Sequence, residues 1–529
     1  MGKINKVVVS GAVVGLILAL SQPLYNLGIL IFAGLVLFFL VLKIIRNKSR
    51  AFQFGYSTGL VYFLINFKWY WTVPLKNYGV ENPFLTFFLI FFIWALTAGA
   101  LALSWGISAW LMKKLDEKIS WNALLIFPAI FTILEFLRSF LIGLIWIGKG
   151  TAIGPNWTLG NLAYNLHESF LILKLSSWLG IYGVTFLIIF AGLLLFIFLE
   201  KRRYKKFLIL LLGLAAFTYF PSLQGSHVAT GQPCREPCIE VAAIQTKISH
   251  QITYTPAEEA SFFKNQLELL DALKQNSPQP KLIVFPEGSN FFKTLTLFKD
   301  TWKASQYFNN LFSSSLIIDN SKVVSNSEFQ SKTIFLDSKK GILGSYEKYL
   351  LTPGGEFLPL IFSGLNKILG LNSPAIQNAQ NYQTGAKFPE GVVASEDLIV
   401  SAMVCSDIFS PYLAQNAAAS ANILVSQSSF SFTDDSEDLI ELDLAAAKFR
   451  AAENDRYLLK ASNFGRSFII SNQGKIVKIT PNLDWQILTG SAVLKNNKTL
   501  YNRVGDSPIL LGSLAILIAS LFLRKHGNN

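Results

Sequence analysis

Apolar residues are distributed unevenly along the chain. Long runs that are almost free of charge fill residues 1–221, whereas residues 222–507 alternate short apolar runs with Gly, Ser, Asn and Asp. A last apolar run occupies residues 508–523. The pattern predicts a multi-pass helical membrane domain over 1–221, a globular domain over 222–507, and a C-terminal transmembrane helix with a short tail over 508–529.

The edges of the apolar runs give candidate membrane spans, at 7–21, 27–43, 51–66, 84–112, 121–142, 169–199, 207–221 and 508–523. Because roughly 20 residues cross a bilayer upright, we expect about seven transmembrane helices ahead of the globular domain. The first run follows Lys3 and Lys6 as in a signal peptide. It ends in LALSQPLYN, which offers no small-x-small cleavage site, so an uncleaved helix is expected.

Short apolar runs in the globular domain predict strands, among them IEVAAIQ (239–245), KLIVFPE (281–287), LIVSAMVC (398–405) and NILVSQS (422–428). Segments 257–275 and 439–456 have the composition of helices. The strand runs carry few internal polar residues, which is typical of sheets covered on both faces. The pattern predicts an α/β or α+β sandwich with helices outside.

Composition and charge exclude an ordinary soluble protein. Hydrophobic residues make up 51% of the chain and charged residues 15%, against about a quarter in soluble domains. Lys and Arg concentrate in alternate loops such as 43–50, 113–118 and 201–206. Positive residues stay in the cytoplasm, so both termini are expected there and residues 222–507 outside it. The net charge of +13 largely reflects this topology, and no nucleic-acid partner is expected.

The chain has three cysteines. Cys234 and Cys238 lie in GQPCREPC, where a disulfide in an oxidising compartment is favoured over two free thiols. A zinc site would need a second Cys or His pair with ligand spacing, which the chain lacks. Cys405 is left without a partner.

Cys405 ends a strand-like run and precedes a helix-like segment. Core cysteine and nucleophile both fit this position, because free Cys is often buried and strand ends carry functional groups. A cysteine nucleophile usually needs a histidine base. The four histidines are His167, His227, His250 and His526, and none follows a strand of the domain. A Cys–His dyad is therefore disfavoured, and carboxylates and lysines remain.

Two segments supply such groups. Glu287 follows the strand-like LIVF and Pro286, which fixes the backbone where the strand stops. Lys348 lies in SYEKYLLTPGGEFLP, and Glu356 follows after a Pro-Gly-Gly turn. Each residue alone would be interpreted as an ordinary surface residue of a turn.

Taken together, Glu287, Lys348 and Cys405 stand in the order of the Glu-Lys-Cys triad of the nitrilase superfamily, which the chain resembles. With seven apolar spans before the domain and one after it, the chain is similar to the apolipoprotein N-acyltransferase family. Further similarity lies in WLGIYGVTFL (178–187) and IQTKISHQITY (244–254). The triad and the KxxxxPxGE segment are the specific part of the resemblance.

The resemblance implies an αββα nitrilase-like sandwich on the periplasmic side of a bacterial inner membrane. It implies acyl transfer from a membrane phospholipid, through a cysteine thioester, to the N-terminal amine of diacylglyceryl-cysteine in lipoproteins. The expected partners are therefore a phospholipid donor and a diacylated lipoprotein acceptor. No cofactor or metal is expected, and a monomer is predicted.

The resemblance also implies roles for individual residues. Cys405 is expected to be the nucleophile, Glu287 the general base, and Lys348 the group that holds the negative charge of the tetrahedral intermediate. Glu356 is expected to orient Lys348 or the incoming amine. Tyr254 matches a family tryptophan and is expected to shape the pocket.

The chain departs from the family at two places. Ser406 and Asp407 replace a Tyr-Glu pair, so the carboxylate stands on a shorter arm and the aromatic ring is lost. Residues 427–429 replace the Asn and Asp of the family's Ser-Asn-Asp-Ala-Trp-Phe segment, although Phe430 keeps an aromatic ring. The triad is untouched, so activity is expected, and acceptor handling and acyl-chain choice are left open.

Three further features have two interpretations each. The segment 354–371, GGEFLPLIFSGLNKILGL, is either an apolar lip facing the bilayer or a core helix of the domain. Glu135 and Arg138, three apart on one helix, are expected to form an internal ion pair rather than a substrate site. Trp146, Lys149 and Trp157 are expected to anchor an outer loop at the membrane interface, with headgroup contact as the alternative.

Two other function classes stay open from the residues. The first is a membrane-tethered nitrilase-type amidase, which would use the same triad and release the thioester with water. The second is a non-enzymatic membrane protein that binds lipids or a partner. The seven spans argue against the first, because one anchor would suffice, and the intact triad argues against the second.

Overall fold

The computed structural model describes residues 6–75, 80–116, 119, 121–219, 237–249, 254–275, 278–295, 301–312, 314–325, 328–369, 382–434 and 436–526. A helix occupies each predicted span of the N-terminal part. The helices are α1 Lys6–Ala19, α2 Leu30–Ile44, α3 Lys48–Asn66, α4 Pro83–Leu115, α5 Ala123–Arg138, α6 Leu141–Ile145, α7 Phe170–Glu200 and α8 Tyr204–Tyr219. By length and composition, α4, α7 and the α5–α6 segment are each able to cross a membrane.

Helix α7 contains a kink that a glycine makes possible. Ser169 caps the start of the helix, because its side chain accepts a hydrogen bond from the Ile172 N–H. At Gly180 the backbone leaves the helical region, with φ 66° and ψ 179°. A Cβ at this position would stand 2.3 Å from the ring of Tyr501. Only glycine allows both the positive φ and this close approach.

The helical part carries a buried ion pair. Nε and Nη2 of Arg138 donate to the two carboxylate oxygens of Glu135, each at 2.9 Å. Arg138 also donates to the carbonyl of Leu159, and Asn161 donates to Glu135. Because a buried charge needs a partner and further hydrogen bonds, this network fixes α5 against the 159–161 loop. The internal ion pair predicted from the sequence is confirmed.

The second part of the chain folds into two six-stranded sheets. The first has the order β12-β1-β2-β3-β4-β5 and the second β11-β10-β9-β8-β7-β6. Strands β1, β2 and β3 are parallel to one another, as are β7, β8 and β9, and the outer strands are antiparallel. The strands are β1 Cys238–Gln245, β2 Leu282–Val284, β3 Leu316–Ser325, β4 Glu328–Asp337, β5 Gly341–Glu347, β6 Val392–Val393, β7 Ile399–Val404, β8 Ile423–Ser429, β9 Tyr457–Asn463, β10 Phe468–Ile470, β11 Ile476–Ile479 and β12 Gln486–Val493.

Helices cover the outer face of each sheet, α9 Pro256–Lys274, α10 Phe291–Leu295 and α11 Thr301–Leu311 on the first and α13 Pro411–Ser420 and α14 Glu437–Asn454 on the second. The other helices are α12 Leu360–Leu369, α15 Leu500–Val504 and α16 Ser507–His526, and α16 packs against α5 of the helical part. Between the sheets, Val284 and Ile318 pack with Val404 and Val425 in one core. On the outer face of the first sheet, a second core joins alternate strand residues to α9 and α11. The alternation places each strand between two apolar layers, and the αββα sandwich predicted from the sequence is confirmed.

Helix α14 and the loop between α6 and α7 both join the sandwich to the helical part. Helix α14 packs against both the second sheet and α7, so one continuous core runs through the two parts. In addition, the loop between α6 and α7 bonds to the sandwich. The Thr158 hydroxyl donates to the Phe409 carbonyl at 2.6 Å, and the Leu360 N–H donates to the Ile147 carbonyl at 2.8 Å.

Three strands were not predicted from the sequence. β5 has the sequence GILGSYE and β6 only two residues, so neither has the apolar run of a central strand. β12 pairs antiparallel along β1 from residue to residue, a contact between distant segments that local pattern does not show. Cys238 is disulfide-bonded, and Cys234, its predicted partner, lies outside the described residues.

Breaking the buried ion pair should destabilise the helical part. We expect Glu135→Ala to lower the free energy of unfolding by about 3–5 kcal/mol, because it leaves the Arg138 charge buried without its partner. Thermal unfolding in detergent measures this loss. The control is Glu135→Leu with Arg138→Leu, which removes both charges and should cost clearly less. Equal losses in the two variants would contradict the account.

Candidate active site

The three predicted catalytic residues lie where strands end. Glu287 follows β2 by three residues, Lys348 follows β5 directly, and Cys405 follows β7 directly. β2 and β5 belong to one sheet and β7 to the other. The side chains therefore come from both sheets, and all three line one cavity at the end of the sandwich.

Lys348 lies between two carboxylates. Its Nζ is 2.9 Å from Oε1 of Glu287 and 2.8 Å from Oε2 of Glu356. The lysine side chain is 1% exposed, so both pairs act in a medium of low dielectric constant. The thiol of Cys405 is within hydrogen-bonding reach of Glu287. The structure thus brings Glu287, Lys348, Glu356 and Cys405 together.

The backbone at Cys405 is unusual. Its φ is 49°, in the left-handed region, and a 3₁₀ turn over Cys405–Phe409 begins there. For a residue with a Cβ this conformation costs roughly 1–2 kcal/mol and is found mostly at functional sites. The sharp turn presents the thiol at the end of β7, and Cys405 is a free cysteine that is partly exposed.

Both oxygens of Glu287 are held in place. Oε1 faces Lys348, and Oε2 accepts a hydrogen bond from the Ser429 N–H at 3.0 Å. The next residue, Gly288, has φ 70°, and its N–H donates to Oδ1 of Asn320 at 3.0 Å. The positive φ lets the chain turn away directly after the carboxylate, which explains the PEG sequence.

The pKa values at the site indicate a protonated thiol beside a carboxylate. Burial raises the pKa of the Cys405 thiol above its ordinary value, and the charge of Glu287 adds to this, while Lys348 opposes both. Burial also raises the pKa of Glu287, against the effect of Lys348. For Lys348, burial lowers the pKa, but the negative charges of Glu287 and Glu356 outweigh burial and raise the lysine pKa well above the usual range. The site therefore holds a neutral thiol, a permanent cation and a carboxylate that is able to take a proton.

Glu356 and Tyr254 hold different positions in the cavity. Oε2 of Glu356 bonds Lys348 and accepts from the Thr352 N–H at 2.8 Å, so the loop before it fixes the carboxylate. Glu356 therefore contacts Lys348 from a position that its own loop fixes. Tyr254 lines the cavity, donates from its hydroxyl to the Ser249 carbonyl, and packs edge-to-face on Phe262. It forms part of the wall.

Ser406 and Asp407 lie behind the site. Asp407 is fully buried; its Oδ1 accepts from the Leu350 N–H, and its Oδ2 from the Val404 N–H and the Tyr346 hydroxyl, each at 2.9 Å. Burial raises the pKa of Asp407 to about 6. Ser406 donates to the carbonyl of Leu350. The two residues tie the Cys405 turn to the chain that follows Lys348, and neither lines the cavity.

Sequence reasoning missed the part played by Gln427 and Ser429. Nε2 of Gln427 donates to the Phe285 carbonyl at 2.6 Å, and its Oε1 accepts from the Thr333 hydroxyl at 2.7 Å. This buried amide connects the two sheets just before Glu287. The sequence does show a polar residue at the end of an apolar strand, and a buried polar side chain needs hydrogen-bond partners.

Two cavities meet at the site. The cavity that contains Cys405 has a volume of about 590 Å³. A second cavity of about 150 Å³ lies between the helical part and the sandwich, and its lining is mainly apolar. The two share Thr352, Gly355 and Phe432 as lining residues. Among the described residues, no group of three or more His, Cys, Asp and Glu side chains is placed to hold a metal ion.

Trp146 and Trp157 line the second cavity. They are 3% and 5% exposed, so their prediction as lipid-interface anchors is wrong: the protein itself covers them. Lys149 instead pairs with Glu328 at 2.7 Å. The alternation of apolar and polar residues did not distinguish a side chain buried by lipid from one buried by the sandwich.

Helix α12 forms part of the same wall. The Phe362 ring stacks on Trp146, with centroids 5.6 Å apart and planes 10° apart. Leu360 is 61% exposed and Ile361 is 40% exposed. The side chains of Leu365, Ile368 and Leu369, which belong to the lip hypothesis, lie outside the described residues. The described side chains of α12 therefore have one face on the cavity and one face open.

Comparisons with known proteins match both parts of the chain. The model of the apolipoprotein N-acyltransferase N-terminal domain matches residues 14–194, and that of carbon-nitrogen hydrolase matches 240–492. The apolipoprotein N-acyltransferase of Geobacter metallireducens is 25% identical, over 97% of this chain and 94% of its own length. The one from Methylococcus capsulatus is 26% identical, over 91% and 89%. Saccharomyces cerevisiae Nit3, a solved nitrilase-superfamily structure, is 16% identical with a TM-score of 0.36, over 48% of this chain and 90% of its own.

Alkylation of Cys405 tests the electrostatic description of the site. Because the charge of Glu287 raises the thiol pKa, Glu287→Gln should lower it, and the pH profile of alkylation by iodoacetamide should shift to lower pH. Lys348→Met removes the opposing cation and should shift the profile to higher pH.

Mass spectrometry of the peptide that contains Cys405 measures the rate, and Lys475→Met, an exposed lysine in a distant turn, is the control. A pH profile that shifts to higher pH in Glu287→Gln would contradict this description.

Proposed function

We propose that this chain, which belongs to the apolipoprotein N-acyltransferase family, transfers an acyl chain from a membrane phospholipid to the N-terminal amine of diacylglyceryl-cysteine in lipoproteins. One observation carries the proposal for the site. A free cysteine lies beside a carboxylate–lysine–carboxylate cluster, in a cavity that borders an apolar cavity between the sandwich and the helical part.

In the first half-reaction, Glu287 removes the proton of the Cys405 thiol as the sulfur attacks the ester carbonyl of the phospholipid. A tetrahedral intermediate forms, and the Lys348 ammonium stabilises its oxyanion, a contribution of about 3–4 kcal/mol in comparable sites. The carbon–oxygen bond of the ester then breaks. Glu287 returns the proton to the leaving oxygen, a lysophospholipid departs, and a thioester remains on Cys405.

In the second half-reaction, the α-amine of the diacylated lipoprotein attacks the thioester. Glu287 takes a proton from the nitrogen, and Lys348 again faces the oxyanion. The carbon–sulfur bond breaks, the Cys405 sulfur regains a proton, and the product is an amide. Glu356 is a positioning residue, because it contacts Lys348 and its own loop.

The neutral resting thiol supports this sequence of steps. Burial and Glu287 keep the Cys405 pKa high, so the sulfur becomes a thiolate only as Glu287 takes the proton. The raised pKa of Glu287 makes it a better base and a better acid for the return of the proton. A permanent thiolate would not require a carboxylate at this place.

The apolar cavity supports lipid substrates over a soluble amide. Aromatic and aliphatic side chains of α4, α6 and the 68–75 segment line it together with the Thr352–Gly355 loop. An acyl chain held there would lie next to the loop that carries Glu356, and its bulk would exclude water from the thioester. The tethered amidase gains no such observation, and a non-enzymatic lipid-binding protein would not need the cluster of Glu287, Lys348 and Cys405.

For location, we infer a bacterial inner membrane with the sandwich on its outer side and both termini in the cytoplasm. The Lys and Arg residues that follow α2, α4 and α7 support this orientation. A monomer is sufficient for the proposed chemistry, because the four site residues come from one chain.

A transfer assay tests the function. Purified protein in detergent, given dipalmitoyl phosphatidylglycerol and a synthetic diacylated lipopeptide, should produce the triacylated lipopeptide, detected by mass spectrometry. Cys405→Ala should give no product, and Glu287→Gln should lower the rate by about 10²–10⁴-fold because it lacks the base. Lys475→Met should behave as wild type. Free palmitate as the only product would instead support the tethered amidase.

A second prediction concerns acyl-chain binding in the apolar cavity. Phe362→Ser removes a ring that lines this cavity, so kcat/KM for dipalmitoyl phospholipid should fall about tenfold. A dihexanoyl phospholipid, whose chains make fewer contacts with the cavity wall, should lose clearly less. Val393→Ser, an exposed apolar residue on the edge strand β6, is the control.

Unchanged thermal stability is required for this interpretation. A Phe362→Ser protein that unfolds would identify α12 as a core helix instead, and equal losses with both donors would contradict an acyl-chain contact.

A further inference from the structure

We propose that Lys322 and Lys293, on the wall of the cavity that contains Cys405, form a subsite for the phosphodiester of the phospholipid donor. This inference rests on the proposed function and extends it to the recognition of the headgroup. Both lysines line the same cavity as Glu287, Lys348 and Cys405. Neither belongs to the carboxylate–lysine–carboxylate cluster.

Lys322 lies next to the turn that carries Glu287. It is part of β3, and its N–H donates to Oδ1 of Asn290 at 2.9 Å. Asn320, two residues earlier on the same strand, accepts from the N–H of Gly288. The strand and the catalytic turn are therefore bonded together at two points, which fixes Lys322 relative to the base.

The ammonium of Lys322 rests on aromatic rings. Its Nζ is 4.0 Å from the centroid of Phe329 and 5.1 Å from that of Tyr382. Both rings line the cavity. Cation–π contacts hold the charge in place, and the ammonium has three N–H groups, of which two ring contacts do not use all. Such an ammonium is preorganised and can still donate to an anion.

The surroundings of Lys322 contain no anion that neutralises it. No carboxylate lies within ion-pair distance of Lys322 among the described residues. Glu287 and Glu356 are bound to Lys348, and Glu259, which also lines the cavity, forms no ion pair with Lys322. Burial lowers the pKa of Lys322, the nearby charge of Lys293 lowers it further, and the charge of Glu356 opposes both. An ammonium placed as that of Lys322 is, with a second cation nearby in a partly buried cavity, favours a bound anion.

The chemistry of the two substrates identifies this anion. Every glycerophospholipid donor carries a phosphodiester a few bonds from the ester that Cys405 attacks. The acceptor carries an amine, which is a cation when protonated and which the two lysines repel. A pair of ammonium groups therefore selects the donor and binds phosphate oxygens by charge-assisted hydrogen bonds. The same contacts hold the lysophospholipid until the ester bond has broken.

The test compares two donors that differ only in the phosphoglycerol headgroup. Dipalmitoyl phosphatidylglycerol and dipalmitoylglycerol have the same acyl chains and the same ester chemistry, but the second has no phosphate. The variant is Lys322→Met with Lys293→Met, which keeps the length of the side chains and removes both charges. The rate of thioester formation on Cys405 is measured with each donor by intact-protein mass spectrometry.

We expect kcat/KM for phosphatidylglycerol to fall by at least about tenfold in the double variant, because one charge-assisted contact contributes about this factor. The rate with dipalmitoylglycerol should stay within about twofold of wild type. Lys322→Arg should recover most of the phosphatidylglycerol rate, and Lys475→Met should change neither. Raised salt should reduce the preference for phosphatidylglycerol in wild type and not in the double variant.

Two results would overturn the subsite. If the double variant slows both donors equally, the lysines have a structural role. If it slows neither, they do not contact the donor. Failure of the proposed function is distinguishable, because then wild-type protein would form no thioester with either donor. Competition by inorganic phosphate as strong as by a lysophospholipid would show a general phosphate site and would contradict recognition of the lipid donor.

Discussion

The site depends on one buried cation held between two carboxylates. Lys348 is removed from water, and a single ammonium in such a place would cost several kcal/mol without partners. Glu287 and Glu356 supply those partners at 2.9 and 2.8 Å, from two different segments of the chain. Since the ammonium can satisfy both carboxylates in only a narrow range of positions, it fixes Glu287, Lys348 and the loop at 352–356 together.

The rest of the sandwich supports this arrangement. Gln427 connects β8 with the end of β2, so the sheet that carries Cys405 and the sheet that carries Glu287 are bonded next to the site. Asp407 likewise joins the Cys405 turn to the segment after Lys348, through hydrogen bonds from the Val404 and Leu350 N–H groups. The shorter carboxylate at this position thus has a full set of donors. These buried polar groups account for the left-handed backbone at Cys405, because the surroundings compensate its cost.

Much of this was predictable from the sequence, for physical reasons that also explain the failures. The spans and the central strands follow from apolar periodicity, and Glu287 and Cys405 from their positions after strand-like runs. β5 and β12 were missed because their residues show no continuous apolar run, and pairing between distant segments leaves no local trace. Trp146 was misjudged because sequence does not tell which surface covers an aromatic ring. The aromatic support of Lys322 likewise depends on Phe329 and Tyr382, which only the fold brings together.

The most direct test of the central claim is a two-step chase of one protein sample. Protein incubated with acyl-labelled phospholipid alone is separated from lipid and examined for label that neutral hydroxylamine releases, with Cys405→Ser beside it. A diacylated lipopeptide is then added. The account predicts a thioester on wild-type protein that survives in water and is discharged by the lipopeptide as an amide. A protein that carries no label, or a label that leaves as free fatty acid at the same rate with and without lipopeptide, would contradict it.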